Sequence, residues 1–456
     1  MSVARHPLEQ IVANRQCMGC GLCTLIQPSN PGETAPTVVM EYDERTDFFV
    51  PRVPDWKPGD PVGEFRCPGA DMDMVGLASA RFGRQPSDEI LGEVVGLRAC
   101  YSTNESERQR SASGGAVPAI LDYLFATDAI DAAYCLRSDA PPREAKGALL
   151  RNRSELALIH GSVYHPARFG VAMSELLKSN ERFAFVGLPC EIAGIEMLKS
   201  INPSLRERHV LSIGLFCGGI NTFRGVDYYL NRFGLTLEEV QDIDYRYGAW
   251  PGRIRAVLKN GKVRKIARIA GNSRWNILRY VIAFQGYWML PRCRICPDQI
   301  SDFADIAVGD PHLPRFRARK GEGFSAVISR TEHGERLLAE AIAAGRIAEE
   351  PLSRDEVIHS QGYTLDNRRH AQVYAKVGRL LGFKPPRMTT YAALDRSVAM
   401  RHYRYAIVDL LKLQVPKNAL FRSMYLPWQI FEYLFITFAP TMVGRRLAKL
   451  LRNEAG

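Results

Sequence analysis

Three cysteines set two residues apart, Cys17-Met-Gly-Cys20-Gly-Leu-Cys23, constrain this chain more than any other feature. A structural zinc usually takes its thiolates as two separated pairs, whereas a Cys-x-x-Cys-x-x-Cys run wraps one face of a 4Fe-4S cluster. Small Gly19 and Gly21 let the backbone approach the sulfurs. The fourth thiolate has to come from elsewhere. Cys67, followed by Pro68 in the pairing that often ends ferredoxin-type ligand sets, is the candidate. On the residues alone, a zinc site and a plain thiol cluster remain the alternatives.

The rest of the composition narrows the class. With 456 residues, 46% hydrophobic and 24% charged, the chain can bury a sizeable core in two or three domains and is neither disordered nor fibrous. Ten cysteines and no cleavable leader in the first residues point to a reducing cytoplasm, where thiolates bind metal instead of forming disulfides. A formal charge of +11 suits an acidic partner: a ferredoxin or other acidic electron donor, or an anionic membrane surface. Nucleic acid ranks last, because no basic motif interleaved with aromatics is present.

The expected fold class is α/β (α+β). An N-terminal ferredoxin-like iron-sulfur module, residues 1–92, rests on a mixed, mainly parallel sheet domain with flanking helices, residues 93–350, and a helical, basic and aromatic tail follows at 351–456. Within the module, 28–61 reads as a loop-heavy excursion with one strand, Thr37 to Tyr42. In the sheet domain, Val117, Ile120, Leu121, Leu124 and Phe125 fall at helical spacing, with Ser113 placed as N-cap before Gly114-Gly115. Phe183 to Val186 and His209 to Phe216 read as neighbouring buried strands carrying Cys190 and Cys217 at their carboxyl ends, the edge where open α/β sheets place their sites. Asn260-Gly261 marks a hairpin between 253–259 and 262–268. Strands at 305–308 and 324–329 and a helix at 332–344 complete this part. In the tail, Tyr425 to Val443 carries one charge, Glu432, and is followed by Arg445, Arg446, Lys449 and Arg452. It is expected to contact the inner face of a membrane peripherally, or to pack on the main body or on a second copy of the chain.

Cys293-Arg-Ile-Cys296, joined by Cys190 and Cys217, supplies a second four-thiolate set that only folding could assemble. Cys100 and Cys135 sit in apolar, strand-like stretches and belong to the core. Ser111-Ala-Ser113-Gly114-Gly115 before a helix is a reasonable anion cradle, and equally a plain helix cap. Gly161-Ser162-Val163-Tyr164 and Asp302, Asp305 and Asp310 are ambiguous in the same way. His160, His165 and His312 are proton donors only in principle, and none is assigned a role. No Gly-x-Gly-x-x-Gly fingerprint supports a nicotinamide site.

The ordered combination of Cys17-Met-Gly-Cys20-Gly-Leu-Cys23, Ser113-Gly114-Gly115, Gly187-Leu-Pro-Cys190, Phe216-Cys217, Trp250-Pro-Gly252, Cys293-Arg-Ile-Cys296 and Ala304-Asp-Ile-Ala-Val-Gly-Asp310 resembles the beta-subunit family of the coenzyme F420 hydrogenases and dehydrogenases. The likeness runs from about Cys17 to about Gly345 and leaves out the last hundred residues. It implies an oxidoreductase that is a flavoprotein with FAD and two 4Fe-4S clusters, their thiolates expected from Cys17, Cys20, Cys23 and Cys67, then from Cys190, Cys217, Cys293 and Cys296. It also implies that residues 93–180 form the flavin-binding part and 181–350 the part with the second cysteine set. Ser113, Gly114 and Gly115 would meet the FAD phosphates, and Gly161, Ser162 and Tyr164 would lie along the flavin. Where the family stretch often reads Gly-Ser-Lys-Tyr, this chain has Val163. Electrons would pass from a ferredoxin-like donor or a reduced deazaflavin to a small-molecule acceptor, with surface-polysaccharide metabolism among the family's settings. A relay subunit of a larger redox complex, without catalysis of its own, is the alternative.

Overall fold

In the computed structural model of the chain, the described residues are 5–30, 32–159, 161–231, 233–248, 250, 252–266, 287–319, 321–391, 402–403, 406–407 and 409–413. A short helix, Pro7–Ala13, leads into the cysteine run, and Cys23 lies in a tight helical turn, Leu22–Leu25. The excursion expected to hold one strand holds a hairpin. Strand β1 (Val39–Asp43) pairs antiparallel with β2 (Phe48–Arg52). The second strand escaped the sequence reading because Phe48, Phe49 and Val50 are all buried, so no alternation marks it. Strand β3 (Asp71–Asp73) runs straight into the helix Met74–Phe82.

Next come β4 (Gly96–Ser102), β5 (Ala132–Leu136), β6 (Gly147–Leu150), β7 (Phe183–Gly187) and β8 (His209–Leu215). The Asn260-Gly261 hairpin forms as expected. β9 (Val240–Tyr247), β10 (Arg253–Leu258) and β11 (Val263–Ile266) make a separate antiparallel sheet. With β12 (Ile306–Gly309), β13 (Ser325–Ser329) and β14 (Ile347–Pro351), the main sheet has the order β14-β4-β13-β12-β8-β7-β5-β6. Its middle, β12-β8-β7-β5, is parallel, and the remaining pairings are antiparallel. The fold is therefore mixed α/β, and five of the eight main-sheet strands, β4, β5, β7, β8 and β12, point the same way.

Strand β7 shows why such a segment reads as an unbroken apolar run. Phe183 and Phe185 pack on one face against Ile192 and Ile195 of the helix Pro189–Ile201. Ala184 and Val186 pack on the other against Ile120 and Leu124 of the helix Ala116–Ala126. Both faces are covered, so every residue is apolar. Cys100 and Cys135 are buried in β4 and β5, as expected of core cysteines.

After β14, helices at Arg354–Ser360, Gly362–Arg369 and Ala371–Leu380 lead to β15 (Arg387–Thr389), which returns to pair in parallel with β3. Arg368 clamps the middle helix onto the sheet domain through buried Asp302, which also meets Arg330 at 3.5 Å. Among the described residues, no helix is long and apolar enough to cross a membrane. The stretch Tyr425 to Val443 and the basic residues after it lie outside the described residues.

Candidate cofactor sites

Gly19 and Gly21 hold φ values of +72° and +75°, in the left-handed region that a side chain disfavours. This curls the run so that the Gly19 N–H donates to Cys17 Sγ at 3.4 Å. A Cβ on Gly21 would stand 3.1 Å from the Gly170 nitrogen, so this loop is also pressed against the sheet domain. Cys67 joins from its own loop. Burial is the first cause that raises all four thiol pKa values, bringing Cys17 up to about 12. For Cys23 the next causes are Cys20, Cys17 and Cys67, which shows that the four thiols face one another.

The second set forms at the carboxyl edge of β7 and β8. Cys190 lies in the first turn of the helix Pro189–Ile201, one step beyond the strand-end turn expected from sequence, because Pro189 already starts the helix. Cys217 follows β8 and accepts from the Gly219 N–H at 3.4 Å. Cys293 lies within a single helical turn, Pro291–Ile295, and Cys296 follows as its C-cap. Burial again leads the causes raising these pKa values, with Cys296 at about 11. Cys217 and Cys293 act on Cys190, and Cys293 and Cys296 act on Cys217. Cys20 also acts on Cys190, so the two sets are neighbours.

Arg292 links them, and sequence reasoning passed it over. It is 2% exposed and donates to Gly69 O at 2.9 Å, Pro68 O at 3.1 Å and Ile295 O at 2.8 Å. One guanidinium thereby ties the Cys67 loop to the Cys293–Cys296 turn, and its charge lowers the pKa of Cys67, Cys293 and Cys296 against the larger effect of burial. The only sequence signal was an arginine beside Cys293.

The donor sets fit metal. Thiols whose pKa values are raised by desolvation and by one another stay protonated unless a cation offsets the cost. Around one zinc ion, with Zn–S near 2.3 Å, thiolate sulfurs sit about 3.8 Å apart. Among the described residues, the trio of potential ligands whose atoms all lie within 4.8 Å is Asp366, His370 and His402, and no three cysteines meet that spacing. Neither thiol set closes to that single-ion spacing.

The expected flavin residues gather along the same carboxyl edge. Gly115, not Ser113, is the N-cap of the helix Ala116–Ala126. It adopts φ +78°, and no side chain caps the helix. Ser113 Oγ turns instead to Ser325 Oγ at 2.8 Å, and the Gly114 N–H is spent on the same hydroxyl at 3.0 Å. The turn therefore offers an anion the uncapped amides after Gly114, a narrower cradle than the glycine pair suggested. A separate chain of contacts reaches Tyr164. Trp250 bridges to Gly321, and its Nε1–H donates to Asp310 Oδ1 at 3.3 Å. Asp310 pairs with buried Arg246 at 2.8 Å, and Arg246 reaches the Tyr164 hydroxyl at 3.4 Å. Gly161 stands against Asp244, where a Cβ would come within 2.9 Å of Oδ1. The uncapped helix start fits the diphosphate of FAD. Arg246 was missed, having no motif around it.

Of the remaining candidates, Asp302 and Asp305 serve buried ion pairs, with Arg368 and Arg81 respectively. His165 is buried beneath Tyr245, whose hydroxyl lies 2.9 Å from Nδ1, and burial lowers its pKa to about 3. It is a core residue, not a proton donor. His312 is exposed, and His160 lies outside the described residues.

Two neighbouring four-thiol sets, one of them at the carboxyl edge of β7 and β8, are the candidate metal site that this fold presents. The model for the coenzyme F420 hydrogenase/dehydrogenase beta subunit N-terminus matches residues 98–174, and that for its C terminus matches 180–355, together more than half of the chain. The chain belongs to this family. It is 23% identical over 344 residues to a coenzyme F420-dependent sulfite reductase of Methanocaldococcus jannaschii, a match covering 72% of this chain and 46% of that protein. The chain thus spans less than half of that relative's length. It is 20% identical over 269 residues to the coenzyme F420 hydrogenase subunit beta of Methanothermobacter thermautotrophicus, covering 58% of this chain and 86% of the relative. Among solved structures, a chain of the F420-reducing [NiFe] hydrogenase complex from Methanosarcina barkeri superposes with a TM-score of 0.50 at 18% identity, covering 67% of this chain and 99% of that one. The shared fold is what this likeness shows.

Proposed function

We propose that this oxidoreductase is an iron-sulfur flavoprotein that draws electrons from a ferredoxin-like donor or a reduced deazaflavin and delivers them to a small-molecule acceptor, in a setting such as surface-polysaccharide metabolism. The observation that carries the reading is the gathering of eight of the ten cysteines into two adjacent sets. When bound, 4Fe-4S clusters supply single-electron exchange and FAD converts between one- and two-electron chemistry. The chain's own residues supply the rest. Cys17, Cys20, Cys23 and Cys67 would hold one cluster, and Cys190, Cys217, Cys293 and Cys296 the other. Amides of Gly19 and Gly219 donate to ligand sulfurs, and Arg292 places positive charge beside both sets. The turn after Gly114 would hold the diphosphate, and Gly161, Ser162 and Tyr164 would border the ring.

Anaerobic purification with iron, sulfide and flavin analysis tests this. The expected product is brown, absorbs broadly near 400 nm, and carries about eight irons and one FAD per chain. Colourless protein with stoichiometric zinc would overturn it. Relatives named as hydrogenase subunits favour one further reading, that the chain relays electrons only inside a complex. Turnover by the isolated chain with reduced ferredoxin and an acceptor separates the two.

A further inference from the structure

A cleft of about 1050 Å³ opens at the opposite edge of the main sheet, where β8 and β12 begin. None of the flavin residues above lines it. Its walls come from the cysteine module, the helix Met74–Phe82 and the second half of the helix Pro189–Ile201. Ile11, Phe65, Leu77, Met197 and Val210 supply apolar lining. Of the eight ligand cysteines, Cys67 alone reaches the lining.

The floor carries buried charge. Lys199, 6% exposed, bonds Glu196 at 2.8 Å and lies 3.2 Å from His209 Nδ1, and His209 Nε2 meets Ser212 Oγ at 2.8 Å. Arg81 pairs with Asp305 at 2.5 Å and reaches Glu196 at 3.8 Å, leaving its buried Nε–H without a partner. Every carboxylate on the lining is thereby committed: Glu196 and Asp305 to these cations, Asp71 to Arg387, and Asp73 to the start of its own helix. Arg66 and Arg206 also line the cleft and form no ion pair among the described residues. An ammonium has three N–H donors, so Lys199 keeps one beyond Glu196 and His209. The uncommitted groups are all cationic, and the volume matches a cofactor-sized molecule.

We propose that this cleft binds an organic anion, a flat apolar body bearing a carboxylate, phosphate or sulfonate, with its charged end toward Lys199 and Arg206 and its body along Phe65 and Met197. That such a ligand would lie beside a redox centre rests on the cluster reading of Cys67 given above. The binding itself does not.

The test is equilibrium dialysis of the full chain with anthraquinone disulfonate and with its uncharged hydroxymethyl counterpart, with iron content measured on the same samples. The disulfonate should bind, the neutral analogue should bind at least about tenfold more weakly, and Lys199→Met and Arg206→Glu should each cost about tenfold in affinity. Exposed Arg206 can be changed without disturbing the fold, so it decides the matter alone if Lys199→Met does not fold. Equal binding of the neutral analogue, or unchanged affinity in Arg206→Glu, would overturn the proposal. Iron-loaded protein that fails to bind the disulfonate removes this proposal alone, whereas iron-free protein that binds it removes the cluster reading alone.

Discussion

The two cysteine sets hold the same donors in similar burial but reach that state by different routes. In the N-terminal set, three of the four thiols lie within one heptapeptide, and two glycines with positive φ impose the curl. In the second set, Cys190, Cys217 and the Cys293–Cys296 pair are separated by whole strands and helices, and only pairing of β7 with β8 brings the first two together. A local site costs little chain entropy to assemble, whereas a distributed one draws on the stability of the entire sheet. The two should therefore fail differently.

Ligand removal gives the largest effect. Cys20→Ser should halve the iron content while the second set stays loaded, and Cys190→Ser should do the reverse, both read by metal analysis. Loss of all iron from either variant would show that the sets assemble as one unit. Arg292→Met comes next. It leaves three buried carbonyls without their donor and should lower stability by on the order of 3 kcal/mol in urea unfolding, with iron lost from both sets and partial recovery in Arg292→Lys.

Acid should separate the sets. His165 is buried against Tyr245, and its folded pKa of about 3 lies below the unfolded value. As pH falls through the ordinary imidazole range, the unfolded chain takes up a proton that the folded chain refuses. Stability drops by up to about 1.4 kcal/mol per pH unit until the folded pKa is reached. His165 stacks on Phe223 near the Cys217 segment, so the second set should bleach first on acidification, and His165→Gln should flatten the dependence. The smallest effect is expected of Gly21→Ala. Its positive φ and contact with Gly170 should cost roughly 1 kcal/mol, seen as a lower midpoint of thermal iron release from the N-terminal set alone.

Much of this was readable in the chain. The cysteine run, the buried strands around Phe183 and Leu211, and the Asn260-Gly261 hairpin announce themselves through spacing, apolar continuity and turn chemistry. Strand β2 did not, because burial of Phe48, Phe49 and Val50 erases the alternation that marks a strand. The cap of the helix Ala116–Ala126 was misplaced by two residues. Ser113 is a good capping residue by type, but its hydroxyl is taken by Ser325, more than two hundred positions away. Arg292 and Arg246 were invisible for the same reason, since their partners lie on other elements.

What the sequence determined alone is the kind of chemistry: thiolates at cluster spacing, glycines to bend around them, and apolar runs that must become a sheet. Tertiary structure decided which distant thiols share a site, which charges stand between the sets, and that a cationic cleft opens beside Cys67. Local spacing fixes what one short segment can bind. Burial, pairing and the partners of a charged group arise only when separate segments exclude water from the same place.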